Sequence, residues 1–549
     1  MKFVLRRSLP SIGGLVGLLL AVGFAIVAFL GAPVWFPVAF AVAIVGIQYL
    51  VNPWIIKWLV PATVIPHDGR RYLTDHPLGA IVARRCADAG VPLVTLGIVD
   101  DGTPNAFTFG RTPRDARVWV TRGLLERLDE RELDAVVAHE VGHIRHWDFA
   151  VMTVAAVIPM ALYLAYLVAR GSGRSEARAV AIGAYAAYIV SQLTLLALSR
   201  ARESAADHWS CRSTGDGDAL ASALVKVAYG MGQVSAAQKE EAHALIAQGK
   251  GGKKQAAALA SRARRAQSMR AMGIFEPKAA EAMQAAFAGG IDPDRALAAM
   301  RWDLANPWGT TLEKLSSHPL VARRIRDLEQ SGLPGAPRRW SVMRAMAGAS
   351  PEQIVDARSR FAGEQGPGSD GDDQLAGAFL FGFLPGSRFG MGLAVAVAGG
   401  LFFVKQNARY PGDYAEVDEV AGLLERLDAG PVAGIGVTVK GRIVGRGMPG
   451  YVLSPDLVVA DRSGFVPLLY RQPIAFAATL FGLFRAERFI GEDVEARGWY
   501  RRMPGPVIEL REVRAADGRR ARTWAWVARY AAAGLLVVVG VVLMLVGVG

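Results

Sequence analysis

The sequence contains His-Glu-Val-Gly-His at positions 139–143, inside a run from Leu124 whose apolar residues recur at helical spacing. Residues four apart on a helix share a face. His139 and His143 can therefore offer two imidazole nitrogens to one metal ion, with Glu140 beside them to take a proton from an attacking water. A catalytic zinc wants three protein ligands and an open position, and this motif supplies two. Further along, Ser199-Arg-Ala-Arg-Glu-Ser-Ala-Ala-Asp-His sets Glu203 and Asp207 four apart on a second expected helix. Glu203 is the expected third ligand. Asp207, one turn on, is the expected acceptor for the second nitrogen of a ligand histidine. Such a set hydrolyses a peptide bond without a covalent intermediate: Glu140 takes the water's proton and returns it to the leaving amine. Two plainer readings stay open beside it: surface histidines on an amphipathic helix, and a solvated face made by Arg200, Arg202, Glu203 and Asp207. His146 and His208 are expected in core or surface roles.

The elements that must position these groups lie among apolar runs. Of the 549 residues 52% are hydrophobic and 20% charged, and the apolar ones gather into stretches of membrane-spanning length. Lys plus Arg outnumber Asp plus Glu by 62 to 49; the basic residues are dispersed and no base-reading motif is visible, so the balance points to lipid and membrane loops and not to nucleic acid. Two cysteines without C-x-x-C spacing exclude a disulfide framework and a thiolate metal site. Residues 11–31 and 33–52 read as a transmembrane hairpin within 1–58, with Lys2, Arg6 and Arg7 placing the N-terminus inside. Residues 149–198 read as a second hairpin inside a unit spanning 59–330. The loop between its two runs carries Arg170, Arg174 and Arg178 against Glu176, which runs against the positive-inside rule. The even count is preferred because the proposed ligands on either side of the hairpin must meet on one face of the membrane. Residues 331–374 are linker-like, 375–404 a transmembrane or re-entrant segment, 405–522 a β-rich domain with the pattern of a small barrel, and 523–549 a C-terminal transmembrane helix. The fold class expected is mainly α, multi-span, with a small C-terminal β-domain.

The order H-E-x-x-H, membrane hairpin, S-R-x-R-E-x-x-A-D resembles the HtpX and Ste24 group of integral-membrane zinc metalloproteases, peptidase family M48. Pro104-Asn-Ala-Phe-Thr-Phe-Gly and Ser317-His-Pro-Leu-Val-Ala-Arg-Arg-Ile resemble two further elements of that family, and the likeness covers about the first 330 residues. It implies a gluzincin-type unit, helical with a small edge sheet, that binds one Zn2+ per chain and cleaves polypeptides. It implies that Asn105, Ala106 and Phe107 lie on a substrate-binding edge strand, and that His318 and Arg324 stand near the active site as donors to the developing oxyanion. The expected setting is a multi-pass membrane protein with a cytoplasmic site that acts on misfolded membrane proteins. A prenyl-peptide protease is the nearest enzymatic alternative, and a membrane scaffold with a vestigial zinc site the non-enzymatic one.

Overall fold

Residues 35–171, 175–227, 293–364, 388–446, 454–502 and 505–547 are described in the computed structural model. They fall into two units: residues up to 227 with 311–343, and 293–310 with 344–547. The expected span 11–31 lies outside the described residues.

In the first unit, helix α1 (Trp35–Leu59) is followed by a four-stranded sheet of β1 (Thr63–Ile65), β2 (Thr95–Val99), β3 (Ala106–Phe109) and β4 (Arg117–Thr121), in the order β1-β2-β4-β3. Strand β3 is thus an edge, paired only with β4 among the described residues. Helix α2 (Pro77–Ala89) begins at a His76 cap and ends at Gly90 in the left-handed region, φ 66°. Helix α3 (Glu130–Arg145) carries the H-E-x-x-H motif. It starts at a capping box in which Asp129 accepts from the Glu132 backbone and Glu132 accepts from that of Asp129. Its apolar positions Val136, Val137, Val141 and Ile144 are fully buried, so the helix is a core element and its polar groups are held by packing.

Helices α4 (Asp148–Gly171) and α5 (Ser175–Thr214) are the expected second hairpin, and both are long and apolar enough to cross a membrane. Helix α5 does not stop at the bilayer. Its 40 residues span about 60 Å, roughly twice a hydrocarbon core. The same rod that is long and apolar enough to cross a membrane therefore carries Glu203 and Asp207 against α3. The crossing is close because the motif has Gly142: a Cβ there would stand 3.0 Å from the Trp209 ring and 3.2 Å from Cα of Ala206. Ser210 Oγ donates to the carbonyl of Ala135 at 2.6 Å across the same contact.

Arg85 ties three helices together. Its Nε donates to Asp134 on α3 at 2.7 Å, and Nη1 donates to Asp88 on α2 and to the Ser213 carbonyl on α5 at 2.8 and 2.7 Å. Burial alone would raise the Asp134 carboxyl, but Arg85 overrides it and holds the group below its ordinary range. A depressed carboxylate contributes stability above its unfolded pKa and loses it as pH falls through the folded value. The tie is therefore intact at neutral pH. Arg85→Ala, which leaves Asp134 with Arg84 alone at 3.1 Å, is expected to cost about 1–3 kcal/mol and to lower the melting temperature at pH 7. That deficit shrinks in acid.

In the second unit, helix α6 (Arg388–Arg409) is one continuous span-length helix; the remainder of 375–404 lies outside the described residues. Short strand β5 (Ala415–Val417) leads into β6 (Ile435–Arg446), β7 (Leu457–Ala460), β8 (Phe465–Leu469), helix α7 (Ala475–Phe484), β9 (Asp493–Arg502), β10 (Pro506–Ala515) and β11 (Arg520–Arg522). Strand β6 pairs with β7, β7 with β8, β8 in parallel with β10, β10 with β9, and β9 back with β6. These five strands close a barrel around Val437, Ile443, Leu457, Leu468, Tyr500, Ile508 and Leu510. Closure in this order, with a helix between the third and fourth strands, is the topology of an OB-fold.

Helix α8 (Ala525–Gly547) follows and packs tightly on α6. A Cβ on Gly540 would lie 2.3 Å from the Ala396 nitrogen, so glycine is what lets the two backbones approach. The helix Pro293–Ala305, expected as part of 59–330, belongs to this unit: Trp302 Nε1 donates to the Ala429 carbonyl at 2.7 Å, and Arg502 lies over the Trp302 ring. Residues 331–374, expected as a linker, contain helices Val342–Ala347 and Pro351–Glu364.

Candidate metal centre

Helical spacing alone puts His139 and His143 one turn apart, and the packing of α5 on α3 brings Glu203 to them. The two Nε2 atoms are 3.1 Å apart, and the Glu203 carboxylate oxygens lie 3.6 Å from Nε2 of His139 and 3.5 Å from Nε2 of His143. Four ligands placed tetrahedrally about zinc at ordinary bond lengths stand about 3.3 Å from one another, so these separations suit that ion.

The outer partners decide the tautomers. His143 Nδ1 donates to Asp148 Oδ2 at 2.6 Å, and His139 Nδ1 lies 2.9 Å from Asp207 Oδ1. With the ring protons on Nδ1, both Nε2 lone pairs face one point beside a carboxylate. Such a cluster of acceptors is repulsive by itself and is relieved by a cation. His139, Glu203 and Asp207 are all buried, which strengthens that preference.

Glu140 is also buried and lies next to the cluster. Thr108, on the edge strand β3, donates to Glu140 Oε2 at 2.7 Å and fixes the carboxylate. A cavity of ≈ 180 Å³ opens onto Thr108, Glu140, His143, Asp148, Glu203 and His318. His318 sits with Nδ1 3.2 Å from Glu203 Oε2. Arg324 corrects the expectation of a direct oxyanion donor. Its Nε and Nη2 donate to the two Asp207 oxygens at 2.8 and 2.6 Å, and its side chain is buried behind them, outside the lining of the cavity. It acts on the site from behind, through Asp207 and through Glu203, whose Oε2 lies 3.8 Å from its Nη2.

Ala106 and Phe107 open the edge strand β3, and Asn105 stands just before it. Asn105 gives its N–H to Thr121 Oγ1 and its carbonyl to the Thr121 N–H, and Phe107 is buried with Val60, Val99, Phe109 and Trp119. What β3 can offer a ligand is its main-chain edge. Burial, with help from Arg202, pushes His146 down to about 3, so it is neutral at physiological pH, and its carbonyl accepts from Arg202. His208 turns back to the Ser204 carbonyl.

Peptidase family M48 matches residues 73–331. The chain is 37% identical over 211 residues to the "Protease HtpX homolog" of Methanothermobacter thermautotrophicus, covering 38% of this chain and 80% of that protein. The chain belongs to peptidase family M48. Another M48 relative, "Protease HtpX homolog 2" of Methanosarcina acetivorans, is 37% identical over 229 residues, 40% of this chain and 76% of its own. A solved structure, that of S. mikatae Ste24p, aligns at TM-score 0.29 and 17% identity over 41% of this chain and 57% of that one, too distant for geometry to be transferred. Membership and five helices of spanning character among the described residues make this an M48 metalloprotease of the membrane.

Asp148 and Thr108 escaped sequence reasoning. Asp148 lies five residues after His143, off any helical face, and reaches it because Trp147 turns the chain with φ 57°, a left-handed conformation a bulky residue rarely adopts. A carboxylate just beyond the end of the motif helix was the only signal. Asp148→Asn is expected to weaken metal retention about 10–100-fold, measured by competition with a chromophoric chelator.

Proposed function

We propose that the chain is a zinc-dependent endopeptidase of gluzincin arrangement, with His139, His143 and Glu203 holding one Zn2+ and Glu140 as general base and acid. The observation that carries this reading is the convergence of two Nε2 lone pairs and a carboxylate beside Glu140 at a pocket edged by a β-strand. A zinc ion held there would supply Lewis-acid polarisation of a peptide carbonyl and of water. Glu140, steadied by Thr108, removes a proton from the attacking water and returns it to the leaving amine. His318, lining the same pocket, stabilises charge developing on the carbonyl oxygen. Arg324 is a positioning residue, holding Asp207 where it orients His139. The substrate adds as an extended strand to β3, with main-chain contacts from Ala106 and Phe107 and little sequence preference, which suits unfolded polypeptides.

A site carried on helices of spanning character supports, as the substrate class, cytoplasmic segments of misfolded membrane proteins. Detergent-purified chain supplied with zinc is offered an unfolded membrane protein and a prenylated peptide in competition. Faster cleavage of the membrane protein is the expected result; preference for the prenylated peptide would reverse the assignment.

A further inference from the structure

We propose that helix α7 lies in the surface of the bilayer, with its outward side among the acyl chains, so that the barrel rests on lipid through α7 as well as through its two spans. The stretch from Pro473 to Phe484 contains no charged residue. Its inward side is used up by the barrel: Phe481 stacks on Tyr470 with centroids 3.8 Å apart, Ala478 packs on the barrel core, and buried Arg446 donates to the Gly482 and Ser454 carbonyls. The outward side is apolar too. Ile474, Phe476 and Phe484 are each about two-thirds exposed, at 68%, 68% and 67%, with Leu480 and Leu483 between them. A helix apolar on both sides has no face suited to water, and this patch is contiguous.

The occupant is fixed by what stands next to the helix. Tyr470 Oη and Gln472 Nε2 both donate to the Arg522 carbonyl, at 3.1 and 2.8 Å. Ala525, three residues later, begins the span α8. The start of α7 is therefore level with the mouth of a membrane span, where Trp524 is half exposed, as interfacial tryptophans are. Ten residues make a helix of about 15 Å, half the hydrocarbon thickness, so α7 cannot cross and lies in the plane. Arg471 precedes it and Arg485 and Arg488 follow it, all exposed. These cations suit the anionic headgroups on either side of an immersed apolar segment.

The test uses the full chain, whose native Cys86 and Cys211 are buried and stay in place. Phe476→Cys, Leu480→Cys and Phe484→Cys, with Lys440→Cys on the exposed side of β6 as reference, are labelled with bimane. The proteins are reconstituted in vesicles of equal parts phosphatidylcholine and phosphatidylglycerol, with or without lipid brominated on the acyl chain. Circular dichroism confirms that each labelled protein is folded. The three α7 labels are expected to be blue-shifted and quenched several-fold more by brominated lipid than the reference, and less by aqueous iodide. Iodide quenching equal to that of the reference would place the helix in water and overturn the proposal. Disulfide cross-linking of Phe484→Cys between chains, persisting as lipid is added, would assign the face to a second copy and overturn it as well.

Discussion

Glu140→Gln lowers the rate of casein cleavage by the purified, zinc-supplied chain by about 10²–10⁴-fold, and the protein still retains one zinc per chain. Glutamine keeps the volume of the side chain and can still accept from Thr108, which donates to Glu140 Oε2 at 2.7 Å. It cannot take up a proton. None of the three proposed ligands is altered, so metal content and thermal stability stay near those of the parent protein. The measurement pairs initial rates with elemental analysis of the same preparation. Substantial residual cleavage would mean that another group acts as the base.

His139→Ala removes both metal and activity. The ring is fully buried, with one nitrogen toward His143 and Glu203 and the other toward Asp207. Its loss takes away a ligand and also leaves Asp207 with Arg324 as its partner. The fall in zinc affinity is expected to exceed the roughly 10–100-fold that loss of an outer partner costs, and dialysis then strips the ion. The contrast with Glu140→Gln separates holding the metal from moving the proton: one variant is loaded and inactive, the other empty and inactive. Normal zinc retention by His139→Ala would remove that histidine from the ligand set.

The parts of this centre that were legible in the sequence are those set by local periodicity. His139, Glu140 and His143 share a helix face whatever surrounds them, and Glu203 with Asp207 repeats that spacing on α5. The apolar runs of α4 and α5 announced a hairpin by length, and the alternation in Val437-Thr-Val-Lys announced a strand. What stayed hidden depends on residues far apart in the chain or on one unusual dihedral. Asp148 joins His143 through the left-handed turn at Trp147, which no periodicity signals. Thr108 meets Glu140 only because β3 lies against α3. The closure of the barrel rests on the pairing of Ile435 with Tyr500 and of Ile508 with Leu468, and the place of Trp302 rests on a carbonyl more than a hundred residues away. The depth of Arg324 was hidden too: it stands near the site as expected, but buried behind it, bonded to Asp207 and 3.8 Å from Glu203, because two carboxylates buried this close need a cation of their own.

The central claim is that His139, His143 and Glu203 hold a zinc ion required for peptide-bond hydrolysis. Its most direct test is a titration in which detergent-purified chain is stripped by chelator and zinc is returned stepwise while casein cleavage and bound metal are followed together. Cleavage that vanishes on stripping and rises in proportion to the ion, levelling at one zinc per chain, is the predicted result. Cleavage that survives complete removal of the metal, or its absence when the site is full, would contradict the account.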